Sequence, residues 1–191
     1  MITIVGVGAL GSHVALFLRN SKQRIRIVDF DRVEQKNTQA QVHTIMSLGK
    51  NKAHSLGQAL FGMFGIKVDA IPVRVADTNV EVLLKDSELV IDCTDNLAAR
   101  DVIQRFCTVS SPQIPCLHGA LSASGDFARI VWTEHFTADA EGKDGEATCI
   151  DGEHLPFFAL AASHIALSAQ RFLKIGTKQS FQISPTGVLR I

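Results

Sequence analysis

A lysine and an aspartate stand at element ends with the chemistry that a phosphorylated ligand requires. Lys52 lies near the start of a helix predicted from Gly49 to Phe64, placed to reach phosphates as a point charge. Asp95 ends the run Asp-Cys-Thr-Asp, at the carboxyl end of a predicted strand. Ligands of open parallel sheets bind outside these strand ends, and a carboxylate together with substrate phosphates is the usual way to hold Mg²⁺. We therefore predict Asp95 as a Mg²⁺ ligand and Lys52 as a phosphate ligand; the alternatives are a helix-capping aspartate and a solvated lysine.

A glycine motif at the start of the chain predicts the rest of this site. Residues 2–12 read ITIVGVGALGS, a β-branched run followed by Gly6-x-Gly8-x-x-Gly11. One glycine permits a tight turn, the next lets the backbone approach an anion, and the third lets a helix pack on the strand. The helix N-terminus adds free N–H groups. Asp29 ends the second predicted strand, where an acid accepts hydrogen bonds from a ribose, so this motif serves NAD and ATP equally.

The residues between these motifs favour a triphosphate. Asp31 adds a second carboxylate at the strand end of Asp29, and Asn37 and Gln41 follow in a polar stretch. With Lys52 and Asp95, they predict a triphosphate lying across the glycine turn. NAD requires neither the lysine nor the metal, and no hydride-transfer site is evident. An NAD-dependent oxidoreductase is therefore the lesser alternative.

The hydrophobic pattern predicts an α/β protein with a Rossmann-like, mainly parallel sheet, helices on both faces, and added antiparallel strands in the C-terminal third. At 191 residues we expect one domain, 1–191, with a nucleotide-binding half at about 1–110 and a partner-binding or dimer half at about 111–191. The acid-rich stretch 133–153 is predicted to be a mobile surface loop. Strands are predicted at 2–5, 24–28, 67–73, 88–91, 115–118, 127–132, 179–183 and 188–191, and helices at 9–20, 49–64, 79–85, 98–107 and 156–175.

Composition narrows the class of partner. Nineteen basic and nineteen acidic side chains cancel, which argues against a nucleic-acid surface. No apolar run approaches the length of a membrane span, and no signal peptide is evident, so neither a membrane partner nor export is expected. The four cysteines form no C-x-x-C pair, which predicts reduced thiols in a cytoplasmic protein and no zinc.

The motifs together resemble a known family. Five motifs occur in order over residues 2 to about 132: GVGALGS, DFDRV, N-x-x-x-Q, G-x-x-K-A and DCTDN-x-x-x-R. The match resumes at Thr148-Cys149 and at an apolar helix that ends in K-x-G. This order is similar to that of the ThiF/MoeB/HesA family, the prokaryotic relatives of ubiquitin-activating enzymes. The resemblance implies an adenylyltransferase that binds Mg-ATP and a ubiquitin-like or sulfur-carrier protein ending in Gly-Gly. The carboxylate of that tail would attack the α-phosphate, giving an acyl-adenylate and pyrophosphate.

The resemblance also implies roles for single residues. Gly6, Gly8 and Gly11 would cradle the nucleotide and Asp29 would hold the ribose. The phosphates would be lined by Asn37, Gln41 and Lys52, Mg²⁺ would be held by Asp95, and Asn96 and Arg100 match the residues that follow it.

Three departures from the family pattern bear on activity. Ala40 stands where the family has an arginine, with Arg32, Lys36 and Lys50 as the nearby cations. The usual N-terminal helices, with an arginine that the family supplies across a dimer, are not in this sequence, and neither are the zinc-binding C-x-x-C pairs. These departures leave open a nucleotide- or partner-binding module without turnover, or a partner chain that supplies the arginine.

Cys149 is the least determined site residue. The family cysteine at this position lies over the adenylate and in some members becomes a thioester or persulfide. Here its neighbours are acidic, which disfavours the thiolate, so a nucleophile and a structural cysteine stay open. Cys93 in a strand, Cys107 in a helix and Cys116 in a strand are predicted to lie in the core, and the histidines to be structural. Family members commonly dimerise, and the apolar helix predicts a homodimer or pairing with another chain.

Overall fold

The sheet continues through both halves of the chain. The computed structural model describes residues 1–122, 124–136 and 152–191. Across these residues runs an eight-stranded sheet in the order β3-β2-β1-β4-β5-β6-β7-β8. The first five strands are parallel and the last three pair antiparallel, which confirms the predicted class. The strands are β1 Ile2–Val5, β2 Ile25–Val28, β3 Asp69–Ile71, β4 Leu89–Asp92, β5 Cys116–Leu121, β6 Ala128–Trp132, β7 Phe181–Ser184 and β8 Gly187–Arg190.

Helices cover the parallel sheet on both faces. The apolar sides of α1, α3 and α6 share one buried cluster, which includes Val14, Leu56 and Ile165. The apolar sides of α4 and α5 form a second cluster on the other face. None of the helices in these described stretches has the length and apolar character needed to cross a membrane. The helices are α1 Ala9–Phe17, α2 Asn37–Ala40, α3 Lys52–Phe64, α4 Val80–Leu84, α5 Leu97–Val109 and α6 Leu155–Ile175, with 3-10 turns at Ile45–Ser47 and Thr133–His135.

The strand at the centre of the sheet, β1, is mostly apolar and is paired on both sides. All four residues of β1 are buried, as expected for a strand covered on both faces. β1 pairs with β2 on one side and β4 on the other, so the helical connections diverge between β1 and β4. In open α/β sheets, ligands bind at the carboxyl ends of the strands beside such a divergence. Gly6, Asp29 and Cys93 directly follow β1, β2 and β4 at this edge.

Several element boundaries differ from the sequence predictions. The helix predicted from Gly49 begins at Lys52, because the Asn51 side chain accepts a hydrogen bond from the His54 N–H at 3.1 Å and caps it. The helix predicted at 79–85 spans Val80–Leu84, with Asn79 at its N-cap position.

The cysteine predictions have three outcomes. Cys93 was wrongly predicted in a strand: it lies just past β4 and is partly buried. Cys107 in α5 and Cys116 in β5 are buried, as predicted. Cys149 and most of the predicted loop lie outside the described residues.

Candidate functional site

The glycine turn is required in part by the protein's own backbone. Gly6 has φ +81°, and a Cβ there would lie 2.9 Å from the Cys93 carbonyl oxygen. A Cβ on Gly11 would lie 1.8 Å from the Gly6 carbonyl oxygen. Gly8 differs, because among the described residues a Cβ there would meet, within 4 Å, only the side-chain nitrogen of Gln41, at 3.9 Å. Packing thus explains Gly6 and Gly11, whereas the open space at Gly8 fits a ligand that approaches the first turn of α1.

Val7, inside the glycine turn, is held from two sides. Its N–H donates to Asp29 Oδ2 at 2.7 Å, and its carbonyl oxygen lies 3.1 Å from His43 Nε2. A carbonyl only accepts, so Nε2 carries a proton and donates. His43 Nδ1 lies 3.3 Å from the Ser55 hydroxyl. The sequence predicts His43 only as one of several structural histidines, because no motif spacing connects it with the glycine turn. Its contact with Val7 becomes visible only in the fold.

The environment of His43 favours the neutral ring. The side chain is 5% exposed, and burial, aided by the nearby charge of Lys52 and by His13, lowers its pKa to about 4. The hydrogen bond to Val7 opposes that shift. A neutral ring with Nε2 protonated accepts from Ser55 at Nδ1, which is consistent with both contacts.

Asp29 shapes the site with both of its oxygens. Besides the Val7 N–H, it accepts the N–H of Asp31 at 2.8 Å through Oδ1. Burial raises the pKa of Asp29, against the opposing hydrogen bonds from Val7 and Asp31 and the charge of Lys52. Each carboxylate oxygen keeps a further lone pair. A ribose contact by Asp29 therefore stays a prediction, beside the observed role in the loop.

Lys52 is buried at the first position of α3 and directed at the same cluster. Its ammonium lies 3.2 Å from Asp31 Oδ2, and its backbone N–H donates to the Asp31 carbonyl at 2.8 Å. The structure thus brings Lys52, Asp31 and Asp29 together. Phosphate binding by the buried ammonium of Lys52 stays a prediction.

The short helix α2 begins at Asn37 and ends at Ala40, and Gln41 follows it as its C-cap. Asn37 is buried, and its side-chain oxygen accepts the Glu34 N–H at 2.8 Å. Gln41 is buried beside Gly8. Ala40 is fully buried and belongs to the core cluster shared with α1 and α6. Its side chain faces the core, so an arginine at position 40 would require a rearrangement of this helix.

The turn after β4 leaves Asp95 exposed. The helix-capping alternative for Asp95 is wrong, because the following residue, Asn96, caps α5 by accepting the Ala99 N–H at 3.0 Å. Arg100 donates to the Thr94 carbonyl and, at 2.9 Å, to the Gly119 carbonyl, which ties the turn to β5. In the described stretches no three His, Cys, Asp or Glu side chains form a metal-binding group, and Mg²⁺ binding by Asp95 stays a prediction.

Comparison with known proteins gives consistent matches. The sequence model of the ThiF family matches residues 1–182. The molybdopterin-synthase adenylyltransferase of Escherichia coli (strain K12) is 30% identical over 122 residues, 62% of this chain and 48% of that enzyme. The probable adenylyltransferase/sulfurtransferase MoeZ of Mycobacterium tuberculosis (strain CDC 1551 / Oshkosh) is 29% identical over 136 residues, 70% of this chain and 34% of that protein.

A structural match agrees with the fold. A crystal structure of E. coli MccB with ATP superposes with a TM-score of 0.76 at 18% identity, covering 100% of this chain and 62% of MccB. The matched regions of the two curated relatives above are only a third to a half of their length.

Proposed function

Because the chain belongs to the ThiF family, we propose that it uses ATP to adenylate the C-terminal glycine of a small ubiquitin-like or sulfur-carrier protein, with release of pyrophosphate. The matched relatives are adenylyltransferases, which supports the general reaction. The observation that carries the proposal is the open space at Gly8 together with the buried Lys52 and its partner Asp31, at the carboxyl ends of the central parallel strands.

The proposed roles follow from the positions of the side chains. The N–H groups at the start of α1 bind phosphate oxygens, and the missing side chain of Gly8 lets the phosphates approach. Lys52 neutralises the phosphates, and Asp29 accepts a ribose hydroxyl. Asp95 is a Mg²⁺ ligand, and the metal would offset phosphate charge when it is bound.

The reaction places few covalent demands on the protein. A carboxylate oxygen of the carrier tail forms a bond to the α-phosphorus while the bond from that phosphorus to the pyrophosphate oxygen breaks. The chain therefore contributes alignment of the two reactants and neutralisation of the developing charge. Asn37 and Gln41 are proposed to line the phosphates on the α2 side. The proposed species in solution is a homodimer, which light scattering on the purified protein would test.

Calorimetric titration of ATP with Mg²⁺ tests the nucleotide assignment. Lys52→Ala is expected to weaken ATP binding about 10- to 150-fold, which corresponds to one charge-assisted hydrogen bond of about 1.5–3 kcal/mol. Lys85→Ala is the matched control, since Lys85 is exposed and follows α4 at the opposite edge of the sheet. Equal affinities in both variants would contradict the phosphate role of Lys52, and tighter binding of NADH than of ATP would favour the oxidoreductase alternative.

Pyrophosphate–ATP exchange tests the chemistry. Exchange that depends on a carrier protein ending in Gly-Gly is the expected result, and removal of the last glycine from the carrier should abolish it. ATP binding without exchange, across cognate carriers, would contradict catalysis. The role of Cys149 stays a prediction: Cys149→Ser should retain exchange and lose any thioester or persulfide if this cysteine is the acceptor.

One observation favours a second function, a nucleotide- or partner-binding module without turnover. Position 40 faces the core, so this chain does not present an arginine from α2 toward the phosphates. Arg32 donates to the Gly49 carbonyl at 2.6 Å, and Lys36 pairs with Glu34 at 3.0 Å. The exchange assay separates adenylation from binding without turnover when a candidate partner chain that could supply an arginine is added. An enzyme that lacks only this arginine would then gain exchange activity, whereas a binding module would not.

A further inference from the structure

A buried histidine–carboxylate pair lies directly below the turn that carries Asp95. His118 on β5 is 1% exposed and Asp92 on β4 is 0% exposed. The two residues are direct partners in the parallel register, and His118 Nδ1 lies 2.8 Å from Asp92 Oδ2. Neither residue has a role in the chemistry proposed above, and burying such a pair is costly unless each atom is satisfied.

Both ring nitrogens of His118 have hydrogen-bond partners. Asp92 accepts from the ring at Nδ1. Nε2 lies 3.0 Å from the Thr133 hydroxyl, and that hydroxyl also donates to the Cys116 carbonyl at 3.2 Å. Thr133 is not poised as a nucleophile, because its proton is already engaged with a carbonyl.

Asp92 connects His118 to the turn after β4 through hydrogen bonds to Thr94. Burial raises the pKa of Asp92, but the charges of Arg100 and His118 outweigh burial and hold the pKa below its usual value. Its second oxygen, Oδ1, accepts both the backbone N–H of Thr94 at 2.9 Å and the Thr94 hydroxyl at 2.7 Å. Asp95 is the next residue, so these two hydrogen bonds hold the backbone from which the Asp95 side chain extends.

His118 also contacts the chain on its other side. The Phe136 ring stacks on the imidazole with centroids 4.1 Å apart, and the Phe136 carbonyl accepts from Gln104 of α5 at 3.2 Å. His118 thus joins β4, β5 and the 3-10 turn 133–135 at one point behind Asp95.

We propose that His118 is a positioning residue of the adenylation site, which acts through Asp92 and Thr94 to orient Asp95 toward the metal and the phosphates. This inference rests on the proposed function. It means that a buried residue, which does not contact the ligand, contributes to the effect of Mg²⁺ on ATP binding and exchange. Because small misplacements of a catalytic group lower rates steeply, loss of His118 should lower kcat for exchange about 10- to 100-fold.

The test is a double-mutant cycle between His118 and Asp95. We measure the gain in ATP affinity that Mg²⁺ provides, by calorimetry, and kcat and KM for pyrophosphate–ATP exchange. His118→Gln should lower kcat and should lower the Mg²⁺-dependent gain in affinity toward that of Asp95→Ala, while the affinity for ATP measured without Mg²⁺ should stay unchanged. If His118 acts through Asp95, the double variant should lose no more than Asp95→Ala alone.

Two further variants separate positioning from a general loss of structure. His118→Asn places an amide donor near the position of Nδ1 and should recover part of both quantities. His164→Gln changes a partly buried histidine on α6 and should leave both unchanged. If His118→Gln fails to fold by circular dichroism, Thr94→Val replaces it in the cycle, since it removes one hydrogen bond between Asp92 and the turn.

Three outcomes would overturn the inference. They are additive losses in the double variant, an unchanged Mg²⁺-dependent affinity in His118→Gln, and equal defects in the Asn and Gln variants. The Mg²⁺ measurement needs no turnover, so absence of exchange in the wild type removes the proposed catalysis and still leaves the positioning role decidable. A wild type that binds no ATP overturns both.

Discussion

Acidification should reveal His43 as a large contributor to the stability of the glycine turn. The pKa of His43 is lowered from 6.5 to about 4, so the unfolded chain binds more protons than the folded protein between these values. The stability associated with the neutral ring is fully present above pH 6.5 and is lost as the pH falls toward 4. A shift of about 2.5 units corresponds to about 3 kcal/mol, which is a large part of the usual 5–15 kcal/mol of a domain.

The expected loss follows the pH in a defined way. From this shift, His43 alone should lower the free energy of unfolding by about 1 kcal/mol at pH 5.5 and about 2 kcal/mol at pH 4.5, relative to pH 7. Urea unfolding at these three pH values measures it. His43→Gln should be less stable than the wild type at pH 7, because the hydrogen bond between His43 and the Val7 carbonyl is lost. On acidification, its free energy of unfolding should fall by less than that of the wild type, and the difference should equal the two values above.

The matched control is His54→Gln, on the exposed side of the same helix that carries Ser55. It should retain the acid-dependent loss of the wild type. Identical pH dependence in the wild type and in His43→Gln would refute the reasoning, because it would mean that His43 does not stay neutral in the folded protein. NMR titration of the His43 ring gives an independent measurement of the same quantity.

Substitutions around the glycine turn should separate the needs of the fold from the needs of the ligand. Gly11→Ala places a methyl 1.8 Å from the Gly6 carbonyl oxygen and should cost at least about 3 kcal/mol of unfolding free energy in urea; a stability equal to the wild type would contradict the geometry. Gly8→Ala has room for its methyl, so its free energy of unfolding should stay within about 1 kcal/mol of the wild type. Its ATP affinity measured by calorimetry should fall about tenfold or more, a loss of at least about 1.4 kcal/mol. An unchanged ATP affinity would mean that the ligand binds elsewhere. Asp29→Asn retains only one accepting oxygen for the two N–H groups it binds and should lose about 1–3 kcal/mol of unfolding free energy at pH 7, and no loss would show that the Asp31 N–H finds another acceptor.

The architecture was predictable because its signals are local. Short β-branched runs such as ITIV mark strands that are buried on both faces, and the glycine spacing marks the turn into a helix. The alternation of these strands with amphipathic segments is enough to predict a parallel sheet. Boundaries were less accurate, since Asn51 caps α3 and the helix therefore starts at Lys52, three residues after the predicted start.

The candidate site was predictable only as a set of residue types. Lys52 and Asp95 were recognised because each stands at the end of a local element, where side chains face the strand edge. The competing cap assignment for Asp95 was decided by Asn96, and two adjacent residues with similar capping propensity are not separable by pattern. The burial of Ala40 likewise depends on how α2 packs against α6.

The sequence by itself determined the periodicities, the glycine turn and the order of the chemical groups along the chain, because these depend on neighbours a few residues apart. Only the tertiary structure decided which of those groups meet. His43 reaches Val7 across 36 residues, and His118 pairs with Asp92 across 26, through strand register and helix packing that no local pattern encodes. The same packing, by removing water from these contacts, lowers the pKa of His43 and makes the partners of each buried charge decisive.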